Sequence, residues 1–286
     1  MSTVNTTIDT AIPDAIDEQM LTAATTAQLR PARPSAWSAS LTLGWRALLK
    51  LKHVPSQLID VTLVPILLTL MFGYIFGGAL AGSVEDYLQP LIPGMIVMIV
   101  AMITTYTALG LNTDISNGIF DRFRSLSFWR PAVLVGALLS DTVRYTMASL
   151  VVIVLGLSLG FRPEAGLSGV LLSLGLVLVF AFSLSWIWTT LGLLIDDPKS
   201  VSVVGSLASF ALGFISNVFV DPATMPRFLQ PLININPVSL TVTAVRGVMH
   251  GQATTTQIVS VLVSCAVLIA VFAPLTMHLY NNKNTR

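Results

Sequence analysis

The sequence predicts an all-α integral membrane protein with six transmembrane helices, and three observations carry that prediction. First, hydrophobic residues make up 54% of the chain and charged residues only 10%, with a mean hydropathy of +0.80. A soluble domain carries about 25% charged residues, so this chain has too little polar surface for a water-soluble globule. Second, six runs nearly free of charge lie at about 58–82, 88–112, 133–160, 167–195, 201–220 and 257–280. A bilayer crossing needs about 20 apolar residues, and each run reaches that length. Third, the cations divide unequally between the two sides that six crossings create. One side receives eleven: Arg30, Arg33, Arg46, Lys50, Lys52, Arg122, Arg124, Arg130, Lys199, Lys283 and Arg286. The other receives Arg162, Arg227 and Arg246, with Arg144 inside the third run. The positive-inside rule puts the richer side, and both termini, in the cytoplasm.

Residues 1–35 read as a disordered cytoplasmic tail. They are rich in Thr and Ala, their charges begin with Asp9, Asp14, Asp17 and Glu18, and residues 1–28 lack the basic start and apolar core of a signal peptide. Residues 36–54 read as an amphipathic interfacial helix. Trp37, Leu41, Trp45, Leu48 and Leu49 share one helical face, and Arg46, Lys50 and His53 share the other. A cytosolic helix packed on a partner is the other reading of that pattern. Residues 55–286 then form the six-span domain.

The connection between the second and third runs, Asn117 to Arg130, is basic and amphipathic. As a helix it places Ile119, Phe123 and Leu126 on one face, at spacings of four and three. Asp121, Arg122 and Arg124 lie at its centre. Such a segment fits two roles, a docking element for a cytoplasmic partner or a charged loop that sets topology. Asp196-Asp197-Pro198-Lys199 reads as a tight cytoplasmic turn, with Asp197 capping the next helix and Pro198 at its first position. The outer segment 221–256 is long and apolar, and Pro222, Pro226, Pro231 and Pro237 cut it into pieces too short to span. Asn236-Pro237 starts one helix, 238–250, which Gly251 ends. Short outer helices of this kind are re-entrant or interfacial elements, or a small extracellular cap.

Chemistry is sparse. The phosphate-binding pattern GxxxxGK[ST] needs a lysine, and neither Lys50, Lys52, Lys199 nor Lys283 follows a glycine. There is no HExxH or CxxC; His53, His250 and His278 are far apart, and a metal site is not expected. The single cysteine, Cys265, sits in an apolar run. No basic cluster is dense enough for nucleic acid. Asp141 and Arg144 are three apart in the third run and can pair on one helix face. They serve either as an intramembrane pair in transport or as an interfacial anchor near the inner boundary. Trp186, Trp188, Phe210 and Phe214 provide aromatic surface in the fourth and fifth runs. Asn217 is a polar group in an apolar stretch. All five are candidates for a substrate pathway or for plain helix packing.

Gly118-Ile-Phe-Asp-Arg-Phe-Arg-Ser-Leu-Ser-Phe-Trp-Arg-Pro131, continued through Gly136, Asp141 and Arg144, is similar to the signature between the second and third spans of type 2 ATP-binding-cassette exporter permeases. Within them it most resembles the daunorubicin-resistance group of drug and lipid exporters. Ser127 stands where that group usually has proline, and Ala137 where an arginine is common. Tyr87-Leu-Gln-Pro-Leu-Ile-Pro-Gly94 resembles the family's start of the second span, and Asn236-Pro237 fits the loop before the last. The resemblance implies a subunit of an ATP-driven exporter of amphipathic or hydrophobic compounds in the bacterial inner membrane. It implies two copies of a separate ATPase subunit that bind the ATP and Mg, and a second permease, identical or paralogous. It also implies that Gly118, Ile119, Asp121, Arg122, Phe123, Arg124 and Leu126 form a coupling helix that docks in the ATPase, with no cofactor in this chain. A non-transporting membrane scaffold and an ion-gradient-driven exporter are the alternatives from other classes.

Overall fold

A computed structural model describes residues 55–116 and 132–282, and every described element is helical apart from turns and connections. The tail, the helix expected over 36–54 and the segment 117–131 lie outside the described residues.

Helix α1 (Pro55–Ala81) turns back through Gly82 into α2 (Val84–Ile103). Gly82 takes φ +77°, a left-handed conformation open to glycine. Ser83 then caps α2, its Oγ accepting from Asp86 N–H at 3.1 Å. Glu85 and Asp86 in the first turn complement the helix dipole. Helix α3 (Thr105–Ser116) continues α2 across a break at Thr104. There the hydroxyls of Thr104 and Thr105 donate back to the carbonyls of Ala101 and Met102, at 2.6 and 2.7 Å. Such back-bonding competes with the helix ladder and bends it.

Then follow α4 (Ala132–Leu159), α5 (Gly166–Leu194) and α6 (Pro198–Phe214). Asp197 caps α6, accepting from Ser200 N–H at 2.9 Å and from its hydroxyl at 2.8 Å. The backbone bond, and after it the hydroxyl bond, hold the Asp197 carboxyl below the usual carboxylate range. After a 3-10 turn at Pro222–Thr224 come the short α7 (Gln230–Ile235), α8 (Pro237–Met249) and the long α9 (Thr255–Asn282). Asn236 caps α8, its Oδ1 accepting from Val238 N–H at 2.9 Å. Gly251, at φ +69°, closes the helix.

Five of the described stretches are long and apolar enough to cross a membrane: 61–81, 84–115, 141–159, 166–194 and 255–280. The second of these joins α2 and α3. The run at 201–220 differs from its expected form. Its helix ends at Phe214, and residues 215–220 follow a bent, non-helical path. At 17 residues, α6 spans about 26 Å, shorter than the ~30 Å hydrocarbon core.

Helix α2 is the centre of the bundle and packs against α1, α4, α5, α6 and α8. That explains a sequence apolar on every side: Leu88, Leu91, Ile92, Met95, Ile96, Val97 and Val100 are all buried. In lipid, apolar burial alone does not drive helices together, so close packing and hydrogen bonds carry their association. Small residues supply the close approaches. A Cβ on Gly192 of α5 would stand 2.7 Å from the Ala108 carbonyl of α3. Helices α1 and α9 instead turn long apolar faces outward, with Leu67, Ile75, Val263 and Val267 more than half exposed.

Candidate functional site

Three polar constellations interrupt the apolar bundle. The first lies where α3, α4 and α5 meet. Asp141 and Arg144 form an ion pair at 3.1 Å, with side chains 6% and 12% exposed. The Thr107 hydroxyl donates to Asp141 at 2.5 Å. Tyr145 extends the chain, its hydroxyl 3.2 Å from Thr107 Oγ1 and 2.9 Å from Ser185 Oγ. The Arg144 guanidinium lies over the Tyr106 ring, 5.9 Å from its centroid. A buried carboxylate thus finds a cation and a hydroxyl, as burial of a charge demands.

The second constellation is aromatic. Trp188 is buried and its indole N–H donates to Thr104 Oγ1 at 2.7 Å, at the break between α2 and α3. Trp186 packs edge-on against Phe182, and its indole nitrogen has no partner among the described residues. Phe210 and Phe214 are partly exposed on α6 and stack at 5.9 Å. Phe214 continues into a cluster with Phe72 of α1 and Phe219, whose rings are 4.1 Å apart. Thus Trp186 and Trp188 lie on one helix and Phe210 and Phe214 on another.

The third is a cavity of about 1240 Å³ at the end of the bundle where α1 turns into α2 and α8 into α9. Tyr87, Asn217, Phe219, Thr243, Arg246 and His250 are on its wall. Asn217 is buried, and its Nδ2 donates to Thr243 Oγ1 at 2.8 Å.

Non-helical backbone beside this cavity needs donors, because lipid supplies none. Residues 215–220 receive them from side chains. Arg246 Nη2 donates to the Val218 carbonyl at 2.8 Å, and Arg246 Nε to the Pro90 carbonyl at 2.8 Å. The Tyr87 hydroxyl donates to the Phe219 carbonyl at 3.2 Å. Asn236 Nδ2 donates to the Leu212 and Ile215 carbonyls, at 2.8 and 2.6 Å.

The segment Tyr87–Gly94 gains a physical account from this wiring. Pro93 has no N–H to offer the Gln89 carbonyl, and His250 Nε2 lies 3.3 Å from that oxygen. The Gln89 side chain donates to the Gly160 carbonyl at 3.2 Å and accepts from Arg162 N–H at 3.1 Å. Gly94 leaves room for the arginine: a Cβ there would meet the Val218 carbonyl at 3.1 Å and Arg246 Nη2 at 3.3 Å.

Gly118, Ile119, Asp121, Arg122, Phe123, Arg124 and Leu126 lie outside the described residues. The helices that frame them are described, and the Thr107–Asp141 bond joins α3 to α4 roughly two and a half turns from each framing end. Sequence reasoning missed Arg246 and Tyr87 as structural donors, and Asn112, whose amide donates to the Gly192 and Ile195 carbonyls. Only the run of prolines and glycine at 90–94 signalled freed carbonyls nearby.

Residues 39–250 match the family described as ABC-2 type transporter. The chain is 50% identical over 255 residues to the daunorubicin resistance ABC transporter permease protein DrrB1 of Streptomyces coeruleorubidus, covering 89% of this chain and 90% of that protein. It is 26% identical over 218 residues to the probable doxorubicin resistance ABC transporter permease protein DrrC of Mycobacterium tuberculosis, covering 75% of this chain and 78% of the other.

Proposed function

The chain belongs to the ABC-2 type transporter family, and from that premise we propose that it exports amphipathic drug-like compounds, daunorubicin and doxorubicin among them. It is a multi-pass permease subunit, and ATP hydrolysis lies with a partner ATPase subunit. The observation that carries the substrate reading is the 50% identity, over nine-tenths of both chains, with a permease named for daunorubicin resistance.

The finer arrangement belongs to the same proposal. Two permeases, identical or paralogous, pair in the bacterial inner membrane with both termini in the cytoplasm. Each rests on one of two ATPase subunits, which hold the ATP and Mg. Helix α6 with 215–220 completes a sixth span, and α7 and α8 are outer elements, re-entrant or interfacial. Gly118 to Leu126 dock on the ATPase, with Ile119, Phe123 and Leu126 as the apolar key and Asp121, Arg122 and Arg124 setting register. Closure of the ATPase dimer then pushes the ends of α3 and α4. The Asp141–Arg144 pair and Thr107 hold these two helices together, so that they move as one lever, linked to α5 through Tyr145 and Ser185.

Inverted membrane vesicles containing this chain and its cognate ATPase test the reading. ATP-dependent uptake of daunorubicin, followed by its fluorescence, is the expected result. Uptake that survives ATP depletion but stops when the ion gradient is collapsed would overturn it in favour of an ion-driven exporter. Normal insertion with no uptake of amphipathic compounds would favour a scaffold.

A further inference from the structure

We propose that the cavity bounded by α2, α8 and residues 215–220 is a holding chamber for a hydrogen-bond-donating amphiphile on its way out, with Arg246 as the clasp that keeps its wall closed. This rests on the exporter reading above and adds a place, a ligand chemistry and a gate to it.

Size comes first. Pockets that enclose drug-sized ligands run to about 300–1,000 Å³, and the 1240 Å³ available exceeds that. The wall suits an amphiphile. Leu80, Leu91, Phe219 and Leu240 offer apolar surface, while Thr243 and Gln257 offer hydrogen-bonding groups. Two wall residues, Asn217 and Ser239, each hold a buried side-chain oxygen with no partner among the described residues. Unpartnered buried oxygens are costly. A cargo hydroxyl or ammonium reaching Asn217 Oδ1 after rotation of that side chain would supply the missing donor.

The gate follows from what closes the wall. Residues 215–220 have no helical ladder, so few bonds hold them in place. Arg246 makes one of these bonds, to the Val218 carbonyl, and a second to the Pro90 carbonyl of α2, so that it joins its own helix α8 to α2 and to the irregular chain. Arg246 forms no direct ion pair among the described residues, and its guanidinium is spent on the two carbonyls. Glu164 and Asp221 stand on the same cavity wall, and either offers the guanidinium a place to go once it lets the carbonyls go. Gly94 is the other half of the clasp, since a Cβ there would crowd both the Val218 carbonyl, at 3.1 Å, and Arg246 Nη2, at 3.3 Å.

The test places a reporter thiol in the chamber and reads its exposure. Ser260 of α9 is on the wall, and its hydroxyl bonds only its own helix, to the Thr256 carbonyl at 2.8 Å. Ser260→Cys, in a Cys265→Ser background, is co-expressed with the ATPase and exposed to a membrane-impermeant maleimide in right-side-out vesicles. Labelling is expected to be slow, to rise several-fold with Arg246→Gln and with Gly94→Ala, and to fall several-fold when daunorubicin is added. The glycine substitution leaves the arginine in place, so agreement between the two variants separates an opened clasp from a lost side chain. Labelling unchanged by both substitutions and by daunorubicin, in complexes that insert and co-purify normally, overturns the chamber and its clasp. Absence of ATP-driven daunorubicin export by the unmodified complex overturns the exporter reading instead, and the differences in labelling between variants still decide the clasp.

Discussion

Asn112 and Asn236 make the same pair of bonds toward opposite ends of the bundle. Asn112 Nδ2 donates to the carbonyls of Gly192 and Ile195, at 2.9 and 2.5 Å. Asn236 Nδ2 donates to those of Leu212 and Ile215. In each case one carbonyl is two residues before the last helical residue and the other is one residue past it, α5 ending at Leu194 and α6 at Phe214. The last carbonyls of a helix have no partner within it, and here a side-chain amide from another element supplies one.

Removing either amide therefore leaves two helix-end carbonyls without their donor. Asn112→Ala is expected to destabilise by about 2–3 kcal/mol, since each net bond is worth ~1 kcal/mol and a stranded group costs more. Asn236→Ala is expected to cost about 1 kcal/mol beyond that, because Asn236 also caps α8. Asn112→Asp tests the geometry directly. A carboxylate cannot donate to carbonyls, so this near-isosteric change should lower the melting temperature of the detergent-solubilised protein more than Asn112→Ala does.

The order Asp141–Arg144 predicts an asymmetric response. Arg144→Ala leaves a carboxylate buried without its cation, a change that typically costs about 3–5 kcal/mol. Asp141→Asn combined with Arg144→Gln removes both charges together and should recover most of that loss. The decisive reading is transport by the double variant. Export restored along with the melting temperature makes the pair an anchor of α3 and α4. Export still absent from a stably folded protein gives the charges a part in the transport cycle.

How far the sequence speaks for itself depends on the range of the signal. Asp197-Pro198, Asn236-Pro237 and Gly251 act on their own neighbours, and their caps and stops are readable from a few residues. Long apolar runs are equally local, and the all-helical character follows from them. The break at Thr104 and the end of α6 at Phe214 are different. The break combines local back-bonding by Thr104 and Thr105 with a distant donor, Trp188, to the Thr104 hydroxyl. The end of α6 relies on Asn236, Arg246 and Tyr87 from far along the chain. No periodicity marks such partners. Apolar composition continues through 215–220, so hydropathy reads a helix where side chains hold an irregular chain. Arg246, counted as one outer cation among three, owes its place to two carbonyls that only the fold brings together.

Trp188 and Trp186, two positions apart, should respond differently to loss of their indole N–H, because only that of Trp188 has a partner among the described residues. Thr104→Val strands the buried N–H of Trp188 and should cost about 1–3 kcal/mol. Trp188→Phe leaves Thr104 still donating to Ala101 and should cost less in hydrogen bonding, with a further loss from the smaller ring. Trp186→Phe removes an N–H that has no partner among the described residues, so the lost ring volume is the main cost. Thermal melts of the three variants check the order. A Trp186→Phe protein that melts normally but exports poorly would place that ring in the cargo's path.

Glycine substitutions distinguish close backbone approach from spare room. Gly192→Ala sets a methyl 2.7 Å from the Ala108 carbonyl and 3.1 Å from its Cα, both backbone atoms that cannot swing aside. It should force α3 from α5 and lower the yield of folded protein. Gly205→Ala in α6 meets only the Thr105 side chain, at 3.6 Å. This is ordinary contact, and alanine is favoured over glycine in a helix by about 1 kcal/mol. That variant should melt at the same temperature or slightly higher. Equal loss in both would mean that α6 packs more tightly on α3 than these distances allow.

Phe123→Asp and Arg122→Glu test the docking proposal where the sequence pattern is most explicit. Each changes one side of the amphipathic segment, the apolar key or the polar register, and neither touches a membrane span. A charge placed on an apolar contact is desolvated without a partner, so Phe123→Asp should release the ATPase on co-purification while the permease remains inserted. Arg122→Glu reverses a charge at a polar edge. It should weaken the complex less and show more in uncoupling, with ATP turnover no longer matched by transport. If the segment only sets topology, both variants keep the ATPase bound and its turnover normal. In that case Arg122→Glu instead shifts the accessibility of engineered cysteines in the loops on either side.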